Sequence, residues 1–140
     1  TVTGVQTCAL PIFVITNQSG IGRGYFDVAS LNAIHDRFRE LLATEGVQLD
    51  AIYFCPHTPD DACSCRKPQP GLLLQAAADF GFSPSDCAVV GDKPCDIDLG
   101  RSVGAATFLV RSGYGAEYEA AGTFADHIVD DLTAVADILM

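Results

Sequence analysis

Apolar residues in this chain follow two rhythms. Short runs, Phe13-Val14-Ile15-Thr16, Ala51-Ile52-Tyr53-Phe54, Cys87-Ala88-Val89-Val90 and the stretch from Ala106 to Val110, hold almost no polar residue and end in loop-forming residues, as buried strands do. Between them, apolar positions recur at helical spacing. Leu31, Ile34, Phe38, Leu41 and Leu42 line one face of a helix predicted over residues 27–45, with Asp36, Arg37, Arg39 and Glu40 on its other faces. Asp27 or Ser30 can cap its start and Gly46 stops it. Further helices are predicted over residues 72–80, ended by Gly81, and from near Asp96 to Val103, closed by Gly104. A short helix, a strand over residues 127–129 and a last helix over residues 132–139 follow.

Strands that alternate with helices predict an α/β fold: one parallel sheet with helices on both faces. The run at 87–90, apolar throughout, is expected at its centre. In such sheets ligands bind beyond the carboxyl ends of the strands. Polar loops follow Thr16, Phe54, Val90 and Val110, and these loops are expected to meet at one rim.

Composition narrows the class. The chain of 140 residues, 49% apolar and with scattered glycine and proline, suits one domain with a core and not a disordered segment. No apolar run approaches a membrane span, and residues 8–15 lack the basic leader and cleavage site of a signal peptide. A cytoplasmic monomer is the expectation. The net charge of −10, from 18 acids and 8 bases, argues against nucleic-acid or anionic-membrane partners. The bases are placed tellingly: Arg23, Arg66, Lys67, Lys93 and Arg111 all lie in loops where a ligand would bind. Cations gathered there in an acidic protein point to a small anionic ligand such as a phosphate.

The stretch from Cys55 to Pro68 holds the densest chemistry. Cys55 and His57, then Cys63 and Cys65, offer three sulfurs and one imidazole, the donors of a closed tetrahedral Zn²⁺ site. The alternative is a disulfide or free buried thiols, which leaves His57 without a role. A loop this short and polar would be ordered by the metal, and Arg66 and Lys67 would emerge rigidly from its last ligand. After the first strand, Thr16, Asn17, Gln18 and Ser19 open a glycine-rich loop able to turn amides and side chains toward a ligand. After the run at 87–90, Asp92, Asp96 and Asp98 with Lys93 form a candidate hard-cation site, the alternative being a polar turn with Asp96 as helix cap. Cys8, Cys87 and Cys95 read as buried structural thiols.

Together, Val14-Ile15-Thr16-Asn17-Gln18-Ser19-Gly20, the Cys55/His57 and Cys63/Cys65 pairs running into Arg66-Lys67-Pro68, and Gly91-Asp92-Lys93 with Asp96 resemble the haloacid dehalogenase (HAD) phosphatases. Within them the chain is similar to the zinc-loop branch that dephosphorylates D-glycero-D-manno-heptose 1,7-bisphosphate at position 7, with the histidinol-phosphate phosphatases as the alternative. The resemblance covers about residues 13–140. It implies a Mg²⁺-dependent phosphatase of sugar phosphates in heptose precursor biosynthesis, with Mg²⁺ held by Asp92 and a structural Zn²⁺. Thr16, Asn17, Gln18, Ser19, Arg66, Lys67 and Lys93 would contact substrate, and Lys67 would neutralise the phosphoryl charge.

One departure is plain. The family's attacking aspartate and general acid form an Asp-x-Asp motif ahead of the Thr16 strand. Residues 1–12, Thr1 to Ile12, contain no acid. They resemble translated sequencing-adapter read-through, so a non-native leader before an incomplete domain is expected, the alternative being a natural N-terminal arm. The first central strand would then be missing, and the chain as given would be inactive, weak in Mg²⁺ binding and poorly stable, though its zinc loop should survive. A non-catalytic, zinc-stabilised phosphate-binding module is the reading from another functional class.

Overall fold

In the computed structural model residues 10–140 are described, and the leader expected over residues 1–12, with Cys8, lies largely outside them. The chain divides into two compact units, Thr1–Cys63 and Ser64–Met140.

In the first unit, β1 (Phe13–Asn17) leads through the single-turn helix α1 (Ser19–Gly22) and the long helix α2 (Val28–Thr44) to β2 (Ala51–Cys55) and a 3₁₀ turn, Pro59–Asp61. β1 and β2 pair in parallel, from Phe13 opposite Ala51 to Asn17 opposite Cys55. A parallel pair needs a long crossover, which α2 supplies. Asp27 caps α2 by accepting the Ser30 amide at 2.8 Å, and Gly46, at φ 74°, takes the left-handed turn that ends it. Of its apolar stripe only Leu31 is buried, while Ile34, Phe38 and Leu41 stay exposed. Helical spacing made these residues share a face, but it did not supply a layer to cover them. The loop predicted after Thr16 contains the α1 turn, which its glycines did not signal.

In the second unit the order is α3 (Gly71–Phe80), a 3₁₀ turn (Pro84–Asp86), β3 (Ala88–Gly91), α4 (Pro94–Ser102), β4 (Ala106–Val110), α5 (Gly115–Ala120), β5 (His127–Val129) and α6 (Leu132–Leu139). The strands form a parallel sheet in the order β3-β4-β5. Successive side chains of β4 point to opposite faces. Leu109 packs with Ile97 of α4 and Ala125, and Phe108 and Val110 pack with Val135 of α6. Helices thus cover both faces of this sheet, and β4 reads as a continuous apolar run for that reason. α4 lies so close that a side chain in place of Gly100 would meet Thr107 and Val89. Thr107, fully buried, exchanges hydrogen bonds with Asp126: its hydroxyl donates to Oδ2 at 3.1 Å and accepts the Asp126 amide at 3.0 Å.

Among the described residues the strands form two parallel sheets, because β1 pairs only with β2 and β3 only with β4, as expected of a sheet that lacks its first central strand. One expectation changes. The run at 87–90 yields a half-buried edge strand, and β4 takes the centre. An apolar run reports the burial its faces need, not how many strands bond to it. No helix among the described residues is long and apolar enough to cross a membrane.

Candidate functional site

β2 delivers Cys55, fully buried, to the head of the cysteine loop. The Gln18 amide donates to the Cys55 carbonyl at 2.7 Å and the Gly22 amide to the Pro56 carbonyl at 2.9 Å, which ties the α1 turn to the loop's start. Gly22 must lack a side chain, since a Cβ would collide with that carbonyl. Thr58 donates its amide to Asp61 Oδ2 at 2.7 Å, and this bond holds the Asp61 carboxyl below the usual carboxylate range. Ala62 then turns in the left-handed region, at φ 50°, and sends the chain back toward Cys55.

The donor atoms of Cys55, His57, Cys63 and Cys65 consequently lie within 4.8 Å of one another. Cys55 Sγ stands 3.6 Å from Cys63 Sγ and 3.4 Å from His57 Nδ1. A tetrahedron with Zn–S bonds near 2.3 Å has edges of about 3.8 Å, so the cluster is close to the size the ion needs. No disulfide joins the described cysteines. The residues fit a zinc ion, and every sequence-predicted ligand is in the group.

In the second unit the Lys67 ammonium meets Asp96 Oδ1 at 2.7 Å, with the two side chains 15% and 10% exposed. Asp96 Oδ2 accepts the Lys93 amide at 3.3 Å, so one carboxylate caps α4 and anchors Lys67. The sequence shows Asp96 as a possible cap, but its partner lies 29 residues back and has no local signal. Asp96 is therefore committed and Asp98 is exposed on α4; the candidate cation cluster of three aspartates does not assemble. Asp92 remains, its Oδ2 accepting the Tyr114 amide at 3.0 Å. One carboxylate suits Mg²⁺, which commonly keeps several waters and relies on substrate phosphates for the rest of its shell.

Beside Lys67, Arg66 carries a buried Nη1 with no hydrogen-bond partner. Arg111 does not present a cation to a ligand. Its Nε and Nη2 bind Glu119 at 2.7 and 3.1 Å and its Nη1 binds Asp130 at 2.8 Å. Those carboxylates raise the guanidinium further above its ordinary range, and Arg111 in turn holds the Glu119 carboxyl down. In the first unit, Thr16 Oγ1 accepts Gln18 Nε2 at 3.0 Å, Asn17 ends β1 and Ser19 begins α1. Cys87 and Cys95 are half-buried, not buried, and burial pushes both thiols up.

A model of the HAD-hydrolase-like family matches residues 64–135. The D-glycero-beta-D-manno-heptose-1,7-bisphosphate 7-phosphatase of Pseudomonas aeruginosa is 44% identical over 133 residues, covering 92% of this chain and 73% of that protein. The protein of that name from Bordetella bronchiseptica is 41% identical over 131 residues, with the same coverage of both. The chain belongs to the HAD-like hydrolases, among the heptose-bisphosphate phosphatases. A crystal structure of the B. bronchiseptica D,D-heptose 1,7-bisphosphate phosphatase, complexed with magnesium and phosphate, superposes on this HAD-like hydrolase with a TM-score of 0.89. It has 39% identity and covers 99% of this chain and 76% of that one. The histidinol-phosphate alternative finds no support among these relatives. As a HAD-like hydrolase the chain is by family a phosphoric monoester hydrolase.

Proposed function

We propose that the chain is, by kinship, a cytoplasmic, monomeric phosphatase for the 7-phosphate of D-glycero-D-manno-heptose 1,7-bisphosphate that binds this substrate but, as given, does not complete the hydrolysis. The observation that carries this is Arg66 Nη1. A buried cationic donor left without a partner costs on the order of 1–3 kcal/mol, and an anionic oxygen would recover it. The kinship with an enzyme crystallised with magnesium and phosphate supports the same reading.

Phosphoryl transfer asks the protein mainly to position the group and to stabilise its charge. Lys67, held at one place by Asp96, supplies a fixed positive charge to the phosphoryl oxygens. By the resemblance to the family, the Thr16 hydroxyl, the Asn17 amide, Gln18 and Ser19 have the part of hydrogen-bond donors to those oxygens. Arg66 and Lys93 take the remainder of the substrate. A Mg²⁺ ion on Asp92 would lower the repulsion between an anionic substrate and its attacker. Cys55, His57, Cys63 and Cys65 would hold a zinc ion, and that ion would order the loop from which Arg66 and Lys67 project.

The reaction also needs an attacking carboxylate, and none occurs in residues 1–12 ahead of β1. The 140-residue chain by itself therefore binds the substrate without turning it over. Calorimetric titration with the heptose bisphosphate in Mg²⁺ buffer should show saturable binding, weakened at least tenfold in Lys67→Met. Absence of binding by the unaltered chain removes the proposal. Release of phosphate from the heptose bisphosphate or p-nitrophenyl phosphate above a protein-free blank removes the claim of inactivity.

A further inference from the structure

The turn between β4 and α5 presents an aromatic ring that neither the fold nor the binding residues named above employ. Tyr114 is 55% exposed, yet its backbone is firmly held. Its amide donates to Asp92 Oδ2 at 3.0 Å. Gly113, at φ 68°, passes so near that carboxylate that any side chain there would strike it. The turn is thereby fastened to the loop after β3. Across the ring stands the Lys93 ammonium, 4.9 Å from the centroid, inside the distance of about 6 Å at which an aromatic face attracts a cation.

The kind of partner matters here. A lysine side chain in solvent samples many rotamers, and ordering it on ligand binding weakens the complex. A carboxylate would order it too, as Asp96 orders Lys67, but would offset part of its charge. No carboxylate pairs with Lys93 among the described residues. An aromatic face orders the chain and leaves the full positive charge available to an anion.

We propose that Tyr114 is a positioning residue for substrate recognition: its ring holds the Lys93 ammonium beside the Asp92 turn, uncompensated, for a phosphate of the sugar phosphate. The inference rests on the assignment of Lys93 to substrate binding. An exposed cation–ring contact of this kind corresponds to about two- to five-fold in affinity.

The test is calorimetric titration of the full chain with the heptose bisphosphate in Mg²⁺ buffer, for the unaltered protein, Tyr114→Phe, Tyr114→Leu, Lys93→Gln and the Tyr114→Leu/Lys93→Gln pair. Tyr114→Leu should weaken binding about two- to five-fold, Tyr114→Phe should retain it, and Tyr114→Leu should have no effect once Lys93 is Gln. Unchanged affinity in Tyr114→Leu overturns the inference alone. An equal loss in the Lys93→Gln background also overturns it, because the ring would then act without the lysine. Failure of the unaltered chain to bind overturns this inference together with the reading it rests on. Should Tyr114→Leu not fold, Tyr114→Phe and NMR keep the idea refutable: the Lys93 methylene protons should show ring-current shifts in the unaltered chain and Tyr114→Phe, and their absence there sinks it.

Discussion

Two polar residues in this chain do more than their sequence positions suggest. Asp96 is largely buried and serves both the head of α4 and Lys67. Removing one partner of a buried ion pair leaves the other charge poorly compensated, at a cost of up to about 3–5 kcal/mol. Asp96→Ala should therefore lower the stability measured by urea unfolding by about 3 kcal/mol, and it should also weaken substrate binding, since Lys67 loses its fixed position. Thr107→Val leaves the Asp126 amide without the hydroxyl it donates to, and should cost about 1–2 kcal/mol in the same measurement. Asp126 and Glu119 are among the carboxyl groups that tie stability to acid. Asp126 is held below its ordinary range chiefly by the Thr107 amide, and Glu119 chiefly by Arg111. A depressed native value means a contribution that is complete above the unfolded value, near 4, and that disappears as pH falls through the native one. The urea midpoint should hold level from neutrality to about pH 5 and fall below about pH 4. An unchanged midpoint at pH 3 would show that these bonds do not couple to folding. Cys87 and Cys95 have the opposite sign: burial raises both thiols, so their contribution is complete below about pH 8.5 and is lost as pH rises past it.

Among the elements, the cysteine loop was the most legible. Its ligand types and spacing named Cys55, His57, Cys63 and Cys65, and the fold brings their donor atoms together. The protein purified without chelators should carry one Zn²⁺ by native mass spectrometry, and Cys63→Ser should lose it. Metal-free protein from such a preparation would refute the site. Helix α2 was equally legible in extent, because its cap, its period and its terminating glycine are all local: residues 27–45 were expected and Val28–Thr44 are helical. Its environment was not legible. Ile34 remains 61% exposed despite standing in register with buried Leu31. β3 shows the same division. Its apolar letters announced a strand, but whether one neighbour or two would bond to it depends on chain far away.

The two units differ in how much core each holds. Leu31 and Cys55 are the buried apolar residues of the first among the described residues, whereas the second buries Phe108, Leu109 and Val110 of β4 with Ile97, Leu99, Val135 and several others. Local opening is easiest where few apolar contacts hold an element. Hydrogen exchange followed by mass spectrometry should find the β4 amides slowest and those of α2 and β1 distinctly faster. Chelation of zinc should speed exchange in the loop after β2 while β4 stays protected. Equal protection of α2 and β4 would contradict the uneven core.

Residue order alone determined what depends on near neighbours. The strand and helix periods, the caps, the metal-ligand spacing and the concentration of cations in loops all act over a few residues, and so can be read along the chain. Only tertiary structure decided that Asp96 holds Lys67, that Glu119 and Asp130 occupy Arg111, that Lys93 lies over Tyr114, and that β4 is central while β3 is an edge. Each of those joins residues distant in sequence. A hydrogen bond or ion pair forms wherever packing brings donor to acceptor, and no local pattern records which partner will arrive.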